Sequence, residues 1–110
     1  MELKINDKSI PLTEEGFLEN YKDWNEEIAK ALAAQMSLIL TEDHLKVLYY
    51  LRQLFIENHH SPAVRALVKG VANTYGTELG NSVTLQLLFP EGLLRQSHQL
   101  AGLPKPLHCT

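Results

Sequence analysis

The chain has 110 residues, of which 45% are apolar and 21% charged, and this length and composition suit one compact globular domain. Its formal net charge of −3 argues against a stand-alone nucleic-acid binder, because contact with phosphates usually needs a basic face. No apolar run approaches the roughly 20 residues of a membrane span, and the N-terminus lacks the pattern of a signal peptide. We therefore expect a cytoplasmic protein that has no membrane partner.

The N-terminal residues predict a small β-hairpin. Two short alternating segments, residues 3–5 and 9–12, flank the turn sequence Asn6-Asp7-Lys8. A lone hairpin is only marginally stable in water, so it should pack against the helical part of the chain. Residues 13–17 then predict a short capped turn, with acidic residues where a helix N-terminus favours them.

Two helices are predicted in the first half of the chain. The first covers about residues 25–34, which are rich in alanine, the best helix former. The second covers residues 42–58, and Thr41 can cap its N-terminus. The stripe of this second helix recurs at spacings of three and four: Leu45, Leu48, Tyr49, Arg52, Phe55 and Ile56.

A third helix is predicted over residues 62–75. Ser61 can cap it, and Pro62 suits the first helical position. Gly70 should weaken the interior of this helix, and Gly76 should end it.

The second and third helices have the spacing of a helix-turn-helix motif. One interpretation is DNA recognition through the third helix, which offers only Arg65 and Lys69 as cations. We favour ordinary helix packing and expect no direct DNA binding, because phosphate contacts dominate DNA affinity and the chain is acidic.

Residues 81–89 are ambiguous between strand and helix. Apolar and mostly polar residues alternate there, as in a strand, but Val83 and Leu87 also have helical spacing. A last short helix is predicted over residues 93–100. Gly102 should end it, and the prolines that follow exclude further helix.

Cys109 is the only cysteine and the second-to-last residue, so the chain cannot form an internal disulfide. Chain ends are where access to other molecules is greatest, so Cys109 is the candidate reactive thiol; an incidental terminal cysteine is the alternative. No base or orienting group is held beside it in sequence, and no histidine pair has the spacing of a zinc site. We expect a carrier without metal or cofactor, acting with partner enzymes, rather than an autonomous enzyme.

Four sequence blocks resemble the DsrC/TusE family. They are Asp-Trp-Asn-Glu-Glu at 23–27, Ser-Pro-Ala-Val-Arg at 61–65, Leu-Leu-Phe-Pro at 87–90, and Ala-Gly-Leu-Pro-Lys-Pro at 101–106 followed by the penultimate Cys109. The resemblance implies a mainly α fold: a small helical bundle with a helix-turn-helix-like core, an N-terminal β-hairpin and a flexible C-terminal arm. It also implies that residues 81–89 are helical. The corresponding division is a helical domain at residues 1–100 and an arm at 101–110, so a cut after Leu100 should leave a folded domain.

The resemblance also implies a function. Family members with a sulfite-reductase role carry a second arm cysteine eleven positions before the penultimate one, and here that position is His98. With a single arm cysteine, the resemblance implies a sulfur carrier of the TusE type. Such a carrier would accept a persulfide sulfur on Cys109 from a TusBCD-like donor complex. It would pass that sulfur to an MnmA-like tRNA thiolase for 2-thiouridine synthesis.

The arm residues that would dock these partners are Gly102, Leu103, Pro104, Lys105 and Pro106. Two alternatives stay open. One is a small regulatory helix-turn-helix module with Cys109 as redox sensor, and the other is a DsrC-like protein associated with sulfite reductase.

Overall fold

The computed structural model describes residues 1–106. A two-stranded sheet precedes five helices and a short 3-10 turn at Tyr21–Asp23: β1 (Glu2–Ile5), β2 (Lys8–Pro11), α1 (Glu26–Gln35), α2 (Glu42–Asn58), α3 (Val64–Tyr75), α4 (Ser82–Leu88) and α5 (Leu93–Leu100). This architecture confirms the predicted mainly α bundle with its helix-turn-helix-like core and N-terminal hairpin. Among the described helices, none has the length and apolarity needed to cross a membrane.

The hairpin is antiparallel, and its register pairs Glu2 with Pro11 and Ile5 with Lys8. Asn6 adopts the left-handed conformation, with φ of 54°, which a tight turn between twisted strands favours. Leu3 is buried and belongs to the hydrophobic core. The hairpin therefore packs against the helical bundle, as its small size requires.

Side-chain caps define where α1 and α2 begin. The side chain of Asn25 accepts a hydrogen bond from the backbone N–H of Ile28, and Thr41 does the same for His44. The ring Nδ1 of His44 accepts the backbone N–H of Thr41 at 3.1 Å, so Nε2 carries the proton and donates to the carbonyl of Leu88 at 2.7 Å. His44 thereby ties the start of α2 to the end of α4.

The start of α3 differs from the prediction. The helix begins at Val64, its N-cap is Ala63, and no side chain caps it, so the predicted roles of Ser61 and Pro62 were wrong. Residues 61–63 have no regular structure, because they carry the chain from the left-handed end of α2 at His59 to the new helix. Gly76 ends α3 as predicted.

Two glycines allow close packing around α3. A Cβ atom on Gly70 would lie 1.8 Å from the hydroxyl oxygen of Tyr50, so this glycine makes room for a side chain of α2. A Cβ atom on Gly80 would lie 2.2 Å from backbone atoms of Ala72. Gly70 thus allows α2 to pack closely against α3, and it is also the residue that the sequence predicts to weaken this helix.

Residues 82–88 form a helix, which resolves the ambiguity of the 81–89 segment. Asn81 decides it, because its side chain accepts the backbone N–H of Thr84 at 2.8 Å while its amide donates to the carbonyl of Thr77. Leu85 is buried against the core, whereas Val83 and Leu87 face outward.

Helix α5 lies at the centre of the bundle and contacts α1, α2 and α4. Most of its side chains are buried, including the polar residues Gln96, Ser97 and His98. Residues 101–106 follow its C-terminus directly, and they include the predicted docking residues 102–106.

Candidate functional site

The C-terminal end of α5 is held by two side chains from elsewhere in the fold. The indole Nε1 of Trp24 donates to the carbonyl of Leu100 at 2.8 Å, and Nη1 of Arg52 donates to the carbonyl of Ala101 at 2.9 Å. The Arg52 guanidinium also lies 4.5 Å from the centre of the Trp24 ring. We call Trp24, Arg52, Leu100 and Ala101 the arm anchor.

The arm anchor satisfies carbonyl groups that a helix leaves without partners at its C-terminus. A cation is also favoured at that end of the helix dipole. Burial lowers the pKa of the Arg52 guanidinium from its ordinary value, and the ring and carbonyl contacts compensate for this loss of hydration. The position and direction of the chain at residue 101 are therefore fixed by the fold.

Gly102 and Leu103 complete a Schellman motif. The backbone N–H of Leu103 donates to the carbonyl of His98 at 3.0 Å, and that of Gly102 donates to the carbonyl of Gln99 at 3.2 Å. Gly102 has φ of +72°, as this motif requires. A Cβ atom there would lie 2.5 Å from Cδ1 of Trp24, so Gly102 also lets the chain pass closely over the arm anchor.

The predicted docking residues after Gly102 lie along the surface of the bundle. Leu103 and Pro106 are buried, whereas Pro104 and Lys105 are exposed. Nζ of Lys105 lies 2.8 Å from a carboxylate oxygen of Glu15, which Arg95 also contacts at 3.2 Å. The hydrogen bond from Lys105 is the main reason that the pKa of Glu15 lies below its ordinary value.

Residues 102–106 thus come together at the exit of α5, while Cys109 lies outside the described residues. Their roles in docking and transfer, and the division after Leu100, remain predictions. Ala101 and Leu103 belong to the hydrophobic core, however, with exposed fractions of 0% and 1%. A cut after Leu100 would therefore remove two core residues and should lower the stability of the domain that remains.

Sequence reasoning did not assign Trp24, Arg52 or Glu15 to the site. Arg52 carried a usable signal, because it is a cation within the otherwise apolar and aromatic stripe of α2. A charged residue in such a stripe needs a buried partner, and here the partner is the carbonyl of Ala101. Nothing in the local sequence marks Glu15 as the partner of Lys105.

His98, where the resemblance predicts the second cysteine of two-cysteine relatives, is almost fully buried, with 1% of its surface exposed. Its Nδ1 donates to the carbonyl of Leu94 at 2.7 Å, and its Nε2 has no hydrogen-bond partner among residues 1–106. Burial lowers the pKa of His98 from its ordinary value of 6.5. Protonation would place an unpartnered N–H and a positive charge in the core.

We expect the stability of the protein to fall as the pH drops below about 6.5. In that window the unfolded chain binds a proton at residue 98 that the folded chain excludes, so the free energy of unfolding decreases down to the lowered folded pKa. Above that window His98 contributes no pH dependence. The free energy of unfolding, measured with urea at several values between about pH 7.5 and 5, should depend less steeply on pH in His98→Leu than in the wild type. The same pH dependence in both proteins would contradict this assignment.

We also expect Gly102→Ala to destabilise the protein more than Gly16→Ala. Both glycines have positive φ, 72° and 88°, so either substitution costs about 1–2 kcal/mol of backbone strain. At Gly16 the new methyl meets only the flexible amide of Gln99, whereas at Gly102 it meets Trp24 and Leu18. Overpacking should add about 1–3 kcal/mol to Gly102→Ala alone. Equal losses in the free energy of unfolding of the two variants, measured with urea, would mean that Trp24 and Leu18 move aside freely.

The chain is similar over nearly its whole length to proteins of known family. The family model described as "DsrC like protein" matches residues 4–110, which include Cys109. The sulfurtransferase TusE homolog of Haemophilus influenzae is 44% identical over 107 residues, covering 97% of this chain and 98% of that protein. The sulfurtransferase TusE of Photorhabdus laumondii is also 44% identical over 107 residues, covering 97% of this chain and 96% of that protein.

Solved structures of the same family share the fold described above. The solution structure of Allochromatium vinosum DsrC superposes with a TM-score of 0.90 at 40% identity, and all of both chains is covered. The crystal structure of the oxidized gamma subunit of dissimilatory sulfite reductase, DsrC, from Archaeoglobus fulgidus gives 0.87 at 37% identity, again with full coverage. The predicted resemblance is confirmed, and the chain belongs to the DsrC-like protein family.

Proposed function

We propose that this chain is a sulfur-relay protein that carries sulfur as a persulfide on Cys109. The observation that carries the proposal is the 44% identity to sulfurtransferases of the TusE type, in a match that spans nearly the whole chain. The family match itself extends to residue 110 and so includes the single thiol. The position of His98 supports a one-thiol carrier, because an arm without a second cysteine cannot close its own disulfide.

Loading and delivery are two thiol exchange steps that need no oxidant. The Cys109 thiolate attacks the outer sulfur of a donor persulfide, and the donor's S–S bond breaks as the new one forms. The donor cysteine leaves as a thiolate, and Cys109 becomes the persulfide. A thiol of the acceptor then attacks the outer sulfur, and Cys109 leaves as its thiolate.

The arm anchor gives this transfer a fixed starting point. Leu103 is the last residue of the Schellman motif, and the six residues from Pro104 to Cys109 follow it. At the rise of an extended chain these residues span about 20 Å, which is enough to enter a partner's cleft. Pro104 and Pro106 favour extended conformations in this stretch.

The proposed partners are a TusBCD-like persulfide donor and an MnmA-like tRNA thiolase, and the relay operates in the cytoplasm, where thiols stay reduced. A role with sulfite reductase that uses a disulfide between two arm cysteines is not available to this chain, because residue 98 is histidine. A DNA-binding regulatory role is disfavoured, because α3 carries only two cations.

Labelled sulfur tests this proposal in two stages. Purified desulfurase, donor complex, this chain, thiolase and tRNA would be incubated with cysteine that carries radioactive sulfur. We expect label on the chain first and on tRNA later, with tRNA labelling lost when the chain is omitted. Equal labelling of tRNA with and without the chain would contradict the proposal.

A further inference from the structure

Helix α4 presents an uncovered apolar face. Val83 and Leu87 are one turn apart, and 67% and 75% of their surfaces are exposed. No residue of α4 is charged. Two large apolar side chains on an uncharged helix are unusual on the surface of a small protein and are typical of an interaction site.

A groove that reaches the first residue of α4 is also apolar. It lies between α3 and the start of α4, with a volume of about 480 Å³, and Val64 and Val68 contribute to its lining. Val64 also lines a second groove of about 470 Å³ that runs to Phe89 and Leu93. Val83 and Leu87 line neither groove, but they are the next residues along α4 after Ser82 and Gln86, which do. We call the two grooves, together with Val83 and Leu87, the α3–α4 trough.

The edge of the trough is positively charged, although the whole chain has a net charge of −3. Arg65 and Lys69 line the first groove and are the only Asp, Glu, Lys or Arg residues between positions 59 and 77. Both are exposed, and neither forms an ion pair with any residue among 1–106.

We propose that the α3–α4 trough docks a protein partner of the sulfur relay, one that presents an apolar ridge flanked by carboxylates. This inference rests on the proposed function, since it takes the partner from the relay. An apolar ridge would cover Val83 and Leu87, as a helix does in an apolar groove. Carboxylates beside the ridge would pair with Arg65 and Lys69, which sets the orientation and speeds the encounter.

The charges favour this occupant over a second copy of the chain or a nucleic acid. A symmetric dimer through the trough would place four cations, Arg65 and Lys69 of each copy, in an interface to which α3 and α4 contribute no acidic residue, so like charges would oppose it. A nucleic acid would meet only two cations, which neutralise few phosphates, and would leave the exposed apolar side chains uncovered.

The trough lies at a useful distance from the arm. Leu93, at its edge, is the first residue of α5, and Leu100 of the arm anchor is the last. The rise along the helix between them is about 11 Å. A partner that reaches the Leu93 edge of the trough would therefore lie within the roughly 20 Å span proposed for residues 103–109.

Two pairs of substitutions test the docking surface. Val83→Ser with Leu87→Ser removes the apolar contact, and Arg65→Glu with Lys69→Glu reverses the charge. The matched controls are Ile39→Ser, at a position that is 84% exposed and outside the trough, and Lys30→Glu on the exposed side of α1. Equal melting temperatures of all variants would show that the fold is intact.

Binding of each variant to the purified donor complex and to the purified thiolase would be measured by calorimetry, together with the rate of sulfur transfer. We expect both trough variants to weaken binding to at least one partner by about tenfold or more, while the controls bind like the wild type. Higher salt should weaken partner binding by the wild type more than partner binding by the charge-reversed variant.

If the two trough variants and the two controls all bind both partners as tightly as the wild type does, the inference is overturned, while the proposed function stands. Absence of sulfur transfer by the wild type would contradict the proposed function, and the calorimetry would then still show whether the trough is a docking surface. Failure of the wild type to bind either protein would overturn the docking inference as well. Loss of self-association or of duplex DNA binding in the trough variants, with partner binding unchanged, would assign the surface to those occupants instead.

Discussion

Removal of residues 101–110 is expected to lower the free energy of unfolding by about 3–6 kcal/mol. Loss of a buried leucine costs about 2–5 kcal/mol, and this cut removes Leu103 from the core. It also removes the Schellman hydrogen bonds and the carbonyl of Ala101 that Arg52 contacts. The half-buried Arg52 would then keep its contact with the Trp24 ring but lose its hydrogen bond to the carbonyl of Ala101.

A cut after Pro106 is the matched control for this truncation. It retains every described residue, including the core residues Ala101 and Leu103, and should lower the free energy of unfolding by less than the cut after Leu100 does. Urea unfolding of the two truncated proteins and the full chain would give the comparison. Equal stability of all three would show that residues 101–106 do not contribute to the core, contrary to their packing.

Substitution Cys109→Ser is expected to reduce sulfur loading to background and to leave the melting temperature unchanged. Serine cannot form a persulfide, and its hydroxyl is a far weaker nucleophile than a thiolate. The stability should not change, because no apolar periodic segment surrounds position 109 in the sequence. The measurement is bound radioactive sulfur after incubation with a desulfurase and labelled cysteine, with a melting curve of the same sample.

Two different results would contradict this prediction. Sulfur bound to the serine variant at the wild-type level would mean that another group carries it. A lower melting temperature would mean that Cys109 is packed against the domain. The serine variant should still bind the partners and compete with the wild type, because the docking residues 102–106 and the α3–α4 trough are unchanged.

The sequence predicted the helices best where local signals agree. Predicted bounds of 42–58 and 93–100 match α2 and α5, because Thr41 and a clear apolar stripe mark α2, and Gly92 and Gly102 flank α5. The predicted start of α3 was wrong by two residues, since the capping signal of Ser61-Pro62 competes with the path of the chain after α2. Residues 81–89 could not be assigned by periodicity, because the cap at Asn81 alone decides for a helix.

The candidate site was predictable only in its thiol and its arm. Cys109 and residues 102–106 stand out in the sequence, but the groups that anchor them come from distant positions. Trp24 lies 76 residues from its partner Leu100, and Arg52 lies 49 residues from Ala101. No local pattern encodes such pairs, and the same holds for Glu15 and Lys105. Gly102 was predicted to end the last helix, and its positive φ directly after the C-cap Ala101 confirms this.

Mass spectrometry of the intact protein and of its C-terminal peptide tests the central claim most directly. The chain would be incubated with a cysteine desulfurase, its donor complex and cysteine, and then digested without reducing agent. We predict a gain in mass of one sulfur atom, located on Cys109 and reversed by a reductant. An unchanged mass under conditions in which the donor complex itself is loaded, or an added sulfur at any residue other than Cys109, would contradict the account.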